Sequence, residues 1–311
     1  MLPPPFRSLK RALGARATGL EGPFRRVLQH RSPKAPSRRF SAGIPGAASL
    51  FILSSACSLD SFLFSQRELQ QYELPGNTIP ASRIEEVTFP SQGHTLYGFW
   101  VASNGGRPGI TILYHHGNKH NMDEYWDRVM FLHDLGVNLF IYDYRGFGRS
   151  QGTSATEEGL LADGDAALAY VLSRSEVDPD SLGFYGYSLG NVVSIYLAAD
   201  RFDPLFLVAE SPFASVTSLA QGSVNLALPA GWLTEGSFDN AERVKRIVAP
   251  LLLLHGEADD FVRYRDNGRV VFENAPQPKQ LILVTGGLHE DVPQTMGLTA
   301  YRQTILDWIP E

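Results

Sequence analysis

Between residues 94 and 308, short apolar runs alternate with longer amphipathic stretches, and this alternation constrains the fold more than any other feature. The runs at 94–102, 110–115, 137–143, 182–186, 205–209, 250–255 and 280–285 are rich in β-branched and aromatic residues and read as strands. Helical periodicity fills the intervals at 122–135, 157–173, 189–200, 261–273 and 296–308. Ser154-Ala155-Thr156-Glu157 reads as a capping box opening the second of these helices. Strands that alternate with helices predict an α/β fold: a mostly parallel central sheet with helices on both faces. The later runs are almost uninterruptedly apolar, as strands covered on both sides must be. In such sheets the loops leaving the carboxyl ends of strands carry the chemistry.

Composition narrows the class. The 311 residues are 43% hydrophobic and 19% charged, enough apolar material for a full globular core. A single cysteine excludes a disulfide scaffold and a cysteine-built zinc site. The net charge of −6 conceals an asymmetry: ten of the 27 Lys/Arg but only one of the 33 acids fall within residues 1–39. The remainder therefore carries 17 basic and 32 acidic residues and would be repelled by phosphate backbones, so nucleic acid is excluded as a partner.

The basic arm precedes an uncharged stretch, 40–59, whose strongly apolar part is only Leu50-Phe51-Ile52-Leu53. A spanning helix requires about 20 predominantly apolar residues. Basic residues, then a short apolar region, then small residues read instead as an export signal. The chain's one cysteine, Cys57, closes this stretch after Leu53-Ser54-Ser55-Ala56 and resembles a bacterial lipobox, with Ser54 where Leu or Val is usual. This implies lipidation at Cys57 and an exported, membrane-anchored protein. Ser37-Arg38-Arg39 faintly resembles a twin-arginine motif, and a start nearer Val27 would shorten the basic region. An Arg-rich organelle transit peptide or a plain basic tail on a cytoplasmic protein are the rival readings. The expected organisation is a signal-like region at 1–57, a linker at 58–79 and one domain at 80–311.

Gly186-Tyr187-Ser188-Leu189-Gly190 fits the G-x-S-x-G elbow, in which glycines permit a tight strand-to-helix turn that projects the serine. A second match, Gly148-Arg149-Ser150-Gln151-Gly152, lies several residues beyond its strand and precedes a polar loop, so Ser150 reads as a loop residue. A serine hydroxyl needs a base at neutral pH. Of the eight histidines, His289 is best placed, after the last strand through Thr285-Gly286-Gly287-Leu288. The imidazole in turn needs an acid. Asp259, beyond strand 250–255, is preferred over its close rivals Glu257 and Asp260. Two backbone amides would face a developing oxyanion: Leu189, at a helix N-terminus, and Asn118, in His115-His116-Gly117-Asn118 after strand 110–115. His116, His120 and Asp123 have some metal-ligand character, but Gly117 and Asn118 disfavour a helix there and no further ligand converges. Neither a metal nor an organic cofactor is expected.

These motifs, with Asp143-Tyr144-Arg145-Gly146-Phe147-Gly148-Arg149-Ser150, Glu210-Ser211-Pro212-Phe213 and His255-Gly256-Glu257-Ala258-Asp259, resemble the α/β-hydrolase superfamily over residues 80–311. More narrowly they are similar to its small-lid, serine aminopeptidase-like branch, near lysophospholipase-like and depalmitoylase-like enzymes. The order Ser188, Asp259, His289 is that of α/β-hydrolases. The resemblance implies acyl transfer to water through an acyl-enzyme, and a structural turn at Asp143–Ser150. Asn191 departs from it, since a further small residue is common there, which predicts different helix packing beside the elbow. Residues 211–250 leave room only for a short helical cap, made apolar by Phe213, Val216, Leu219, Val224, Leu226, Leu228, Trp232 and Leu233. Such a wall suits a small acyl ester or thioester. Aminopeptidase activity, or a silent binding module on the same fold, are the alternatives.

Overall fold

A computed structural model describes residues 64–153, 156–222 and 236–310. The signal-like region with Cys57, residues 58–63, Ser154, Ala155 and the cap residues Val224, Leu226, Leu228, Trp232 and Leu233 lie outside the described residues. The strands are β1 (Ser65–Gln66), β2 (Ile84–Ser91), β3 (His94–Val101), β4 (Thr111–His115), β5 (Lys119–His120), β6 (Asn138–Tyr142), β7 (Leu182–Tyr187), β8 (Leu207–Glu210), β9 (Leu251–Gly256) and β10 (Lys279–Val284). The helices are α1 (Trp126–His133), α2 (Glu157–Ser173), α3 (Gly190–Asp200), α4 (Val216–Gly222), α5 (Asn240–Arg243), α6 (Gly268–Asn274), α7 (Val292–Met296) and α8 (Leu298–Trp308). Among the described residues no helix is long and apolar enough to cross a membrane.

Eight strands form one sheet in the order β10-β9-β8-β7-β4-β6-β3-β2. From β10 to β6 all neighbours are parallel, whereas β6–β3 and β3–β2 are antiparallel. Alternation persists inside the continuous apolar runs: on β4, Leu113 joins one buried cluster while Ile112 and Tyr114 join the other. The first cluster takes Leu160, Ala167 and Val171 of α2 and Val193 and Leu197 of α3. The second takes Trp126, Val129 and Leu132 of α1 and Tyr301 and Ile305 of α8. Helices thus cover both faces, as the pattern predicts. From β4 the chain moves to β6 on one side and then to β7 on the other, so the order reverses at β4. Parallel sheets open a crevice at such a point, outside the carboxyl ends of the two strands.

Three expectations need correction. First, the sheet has a further strand, β2, outside the seven apolar runs: an edge strand where Val87 and Phe89 point inward while Glu85, Glu86 and Pro90 stay exposed. Its apolar content is too sparse to read alone, and Pro90 is tolerated because among the described residues no further strand pairs with that edge. The β2–β3 turn is Gln92-Gly93, with φ of 46° and 85°, the primed geometry that two-residue hairpins adopt. Second, α2 is capped by Thr156, whose Oγ1 accepts from Gly159 N at 3.0 Å. The third residue past the cap is therefore glycine, and no capping box forms. Third, residues 64–79 are not a linker. β1 pairs with β5, and Phe64, Tyr72 and Ile79 are buried. The Tyr72 hydroxyl donates to Asp143 Oδ2 at 2.6 Å and accepts from Arg149 N at 3.0 Å. Asp143 is fully buried, and its other oxygen takes Met122 N at 2.7 Å, so the segment supplies a donor that a buried carboxylate requires. Tyr72→Phe is expected to lower stability by about 1–3 kcal/mol, seen as a lower urea midpoint at unchanged slope.

Candidate active site

The sheet register sets the site. His115 of β4 pairs with Gly186 of β7, so Asn118 and Ser188 leave the same edge on adjacent strands. Ser188 has φ of 50°, a left-handed conformation that costs about 1–3 kcal/mol and holds the side chain at the tip of a tight turn. The turn is enforced by close approach. A Cβ on Gly190 would lie 1.9 Å from the His115 carbonyl oxygen, and one on Gly186 would lie 2.7 Å from Ser194 Oγ and 3.0 Å from Asn191 Cα. Only glycine lets the first turn of α3 sit against the end of β4. Asn191, which departs from the common pattern, fastens the turn: its Nδ2 donates to Ser188 O at 3.1 Å and to Glu210 O at 2.8 Å. The Ser188 amide donates to the same Glu210 carbonyl at 3.0 Å.

Three residues far apart in the chain converge on this turn. Ser188 Oγ lies 3.0 Å from His289 Nε2, and His289 Nδ1 lies 2.7 Å from Asp259 Oδ2. Asp259 Oδ1 accepts from Phe261 N at 3.0 Å and Val262 N at 2.7 Å, which fixes the carboxylate plane. Burial separates Asp259 from its rivals, because Glu257 and Asp260 are both exposed. The loops after β9 and β10 are laced together by Glu257 N to Val284 O at 2.9 Å and Ala258 N to Gly287 O at 2.9 Å. The His289 ring packs against Tyr187 and Phe261, with centroids 5.5 Å and 5.1 Å away.

Burial works against ionisation of Asp259, but the hydrogen bond from His289 and the neighbouring His255 imidazole outweigh it and hold its pKa well below the usual carboxylate range. His255 Nε2 is 3.4 Å from Asp259 Oδ2 and 2.7 Å from the Val262 carbonyl, so a second imidazole steadies the acid. No sequence motif distinguished that role from the rest of the His-Gly pair.

The other candidates resolve plainly. Ser150 donates to Asp143 O at 2.7 Å and accepts from Tyr97 N at 3.0 Å, a buried fastening of the turn after β6. His115 is buried against Ser194 Oγ at 2.7 Å, and burial, with His116 beside it, lowers its pKa to about 3. His116 Nε2 lies 3.2 Å from Asp143 Oδ1, while His120 faces Glu124 at 3.1 Å. No group of three or more His, Cys, Asp or Glu among the described residues is arranged to hold a metal ion. Asn118 follows Gly117 at the end of β4, its Oδ1 accepting from Ser65 N at 3.2 Å. Leu189 stands at the N-terminal end of α3.

Two outcomes are expected. Gly190→Ala should cost roughly 3 kcal/mol, because the clash is with backbone, and calorimetry would register it as a lowered Tm. Asp259 has a folded-state pKa below its unfolded value of about 3.9, so its contribution is full above that value and disappears as pH falls through the folded one. The stability gap between wild type and Asp259→Asn should therefore narrow as pH falls below about pH 4 in urea titrations.

Comparison with known proteins agrees with this architecture. Residues 106–230 match the hydrolase family described as serine aminopeptidase, S33. The chain is 33% identical over 233 residues to the uncharacterized protein YfhR of Escherichia coli K12, covering 72% of this chain and 80% of YfhR. It is also 33% identical over 216 residues to an uncharacterized protein of Mycobacterium tuberculosis H37Rv, covering 69% of this chain and 75% of the relative. Among solved structures, the Pyrococcus furiosus esterase Pf2001 superposes with a TM-score of 0.63 at 18% identity, covering 79% of this chain and 99% of the esterase. Est1E of Butyrivibrio proteoclasticus, solved with ferulic acid bound, gives a TM-score of 0.60 at 18% identity, covering 72% of this chain and all of that one (100%). Sheet order, elbow and these matches together establish that the chain belongs to the α/β-hydrolase superfamily.

Proposed function

We propose that the protein is a serine hydrolase cleaving carboxylic esters or thioesters through an acyl-enzyme. The observation that carries this reading is the relay from Ser188 Oγ to His289 Nε2 at 3.0 Å and from His289 Nδ1 to Asp259 Oδ2 at 2.7 Å, built on a turn held at positive φ. Ser188 Oγ attacks the acyl carbon as His289 Nε2 takes its proton, and Asp259 holds Nδ1–H and stabilises the imidazolium. The oxyanion of the tetrahedral intermediate is received by the backbone amides of Leu189 and Asn118. Collapse expels the alcohol or thiol, which takes the proton from His289. Water, deprotonated by His289, then attacks the acyl-Ser188 ester, and collapse releases the acid as Ser188 Oγ takes the proton back from His289.

The neighbours named as esterases favour ester chemistry. An aminopeptidase would have to pair a substrate ammonium with a carboxylate. Glu210, buried behind the elbow, is already engaged by Arg128, Tyr185 and Tyr301. Phe213, Val216 and Leu219, at the start of the cap region, are buried in the hydrophobic core, and an apolar wall for the acyl group would be built onward from them. Lipidation at Cys57 of an exported precursor would hold the enzyme at a membrane surface, where lipid-like acyl substrates are concentrated.

A fluorophosphonate probe should label the wild type and leave Ser188→Ala unlabelled. Turnover of p-nitrophenyl esters by that variant should fall by several orders of magnitude, to on the order of 10³–10⁴ over water. Faster cleavage of amino-acid anilides than of esters would reverse the substrate assignment. Cys57→Ser should move the protein out of the membrane fraction, and its retention there would rule out the anchor.

A further inference from the structure

Behind the Ser188 turn lies an ion pair that the proposed mechanism does not use. Glu210, the last residue of β8, and Arg128 of α1 have side-chain exposures of 0% and 4%. Glu210 Oε1 accepts from Arg128 Nη2 at 2.8 Å and from Nε at 3.3 Å. Oε2 accepts from the Tyr301 hydroxyl at 2.9 Å and from that of Tyr185. A buried carboxylate surrounded by donors in this way has no freedom to move, and neither has the guanidinium paired with it.

That rigidity is transmitted to both reacting side chains. The Glu210 carbonyl takes the amide of Ser188 at 3.0 Å and Asn191 Nδ2 at 2.8 Å, so the main chain of Glu210 anchors the elbow. Arg128 Nη2 also donates to the Glu290 carbonyl at 2.9 Å. The same guanidinium lies 4.0 Å over the ring of Tyr187, whose hydroxyl donates to the His289 carbonyl at 3.1 Å. Two consecutive carbonyls of the histidine loop are thus held by donors that rest on Glu210. The loop after β9 holds the other flank of this loop through Ala258 N to Gly287 O at 2.9 Å, while the Leu288 and Glu290 side chains on either side of His289 are exposed, so on the elbow side the His289 and Glu290 carbonyls are the points of attachment.

We propose that Arg128, Glu210 and Tyr187 form a positioning platform that sets His289 against Ser188, so that turnover depends on contacts to the histidine loop made by side chains that never meet the substrate. This inference rests on the serine hydrolase reading. A shift of His289 by about 1 Å is enough to cost on the order of 10²-fold in a step that needs a near-attack geometry. Substrate binding does not use the platform, so KM should be insensitive to it.

Two variants test this with p-nitrophenyl butyrate turnover and the rate of fluorophosphonate labelling, each expressed per folded molecule. Tyr187→Phe deletes only the bond to the His289 carbonyl and keeps the ring under Arg128. Its kcat and labelling rate should fall together about 10-fold, with KM within about twofold and Tm little changed. Arg128→Lys keeps the charge opposite Glu210 but cannot span Glu210 and Glu290 O while lying flat on Tyr187, so a fall of about 100-fold in kcat is expected. If Arg128→Lys does not fold, Tyr187→Phe decides alone. Wild-type kcat and labelling rate in Tyr187→Phe, or a loss confined to KM, would overturn the platform while leaving the hydrolase reading intact. An unlabelled and inactive wild type would remove both.

Discussion

The start of α3 rests directly on the carbonyl end of β4, and the rest of the site follows from that contact. It is available only because residue 190 has no side chain. Pressed against β4, the helix cannot begin gradually, so the chain turns out of β7 within Tyr187-Ser188-Leu189 and leaves Ser188 at positive φ. The turn is strained, and the strain is balanced by bonds from Asn191 and by the Glu210 carbonyl. Were α3 displaced by the width of a methyl group, Ser188 would lose its register with the loops after β9 and β10.

Polar groups in this protein are buried in sets, and each set ties segments that are distant in sequence. Asp143 gathers Tyr72 and Met122 N around one carboxylate and so fixes the chain before β2 to the turn after β6. Asp163 does the same for the other side of that turn: it accepts from Ser91 Oγ at 2.7 Å and pairs with Arg145 at 2.8 Å. Glu210 joins α1, β7, α8 and the histidine loop. A carboxylate without water must collect donors wherever the fold can bring them. These acids therefore act as fixed points of the tertiary structure as well as local anchors. Asp259 belongs to the same class, with two imidazoles and two amides converging on it.

Much of this was legible beforehand. Seven strand runs and the helices between them were visible because strands buried on two faces must be apolar throughout, and the helices that cover them must be apolar on one side. Ser188 was distinguishable from Ser150 because one follows its strand immediately and the other does not. β2 is not legible in the sequence because an edge strand has one wet face and alternates too sparsely over eight residues. The packing of residues 64–79 is not legible either, because its anchor, Tyr72, is identified by the acid it meets rather than by anything adjacent to it.

By itself, then, the sequence determined the α/β alternation, the G-x-S-x-G turn and a short set of residue types able to sit beyond the strand ends, because these depend on local periodicity and on where glycine is required. Which acid faces His289 was decided by burial: Asp259 turns inward to two backbone amides, while Glu257 and Asp260 remain in water. The tertiary structure alone also decided that Asn191 and His255 steady the site and that Arg128 reaches the histidine loop across 162 residues of chain. The physical reason is the same in each case. A hydrogen bond to a buried group is specified by the two ends that meet in space, and no local pattern in the chain records the partner.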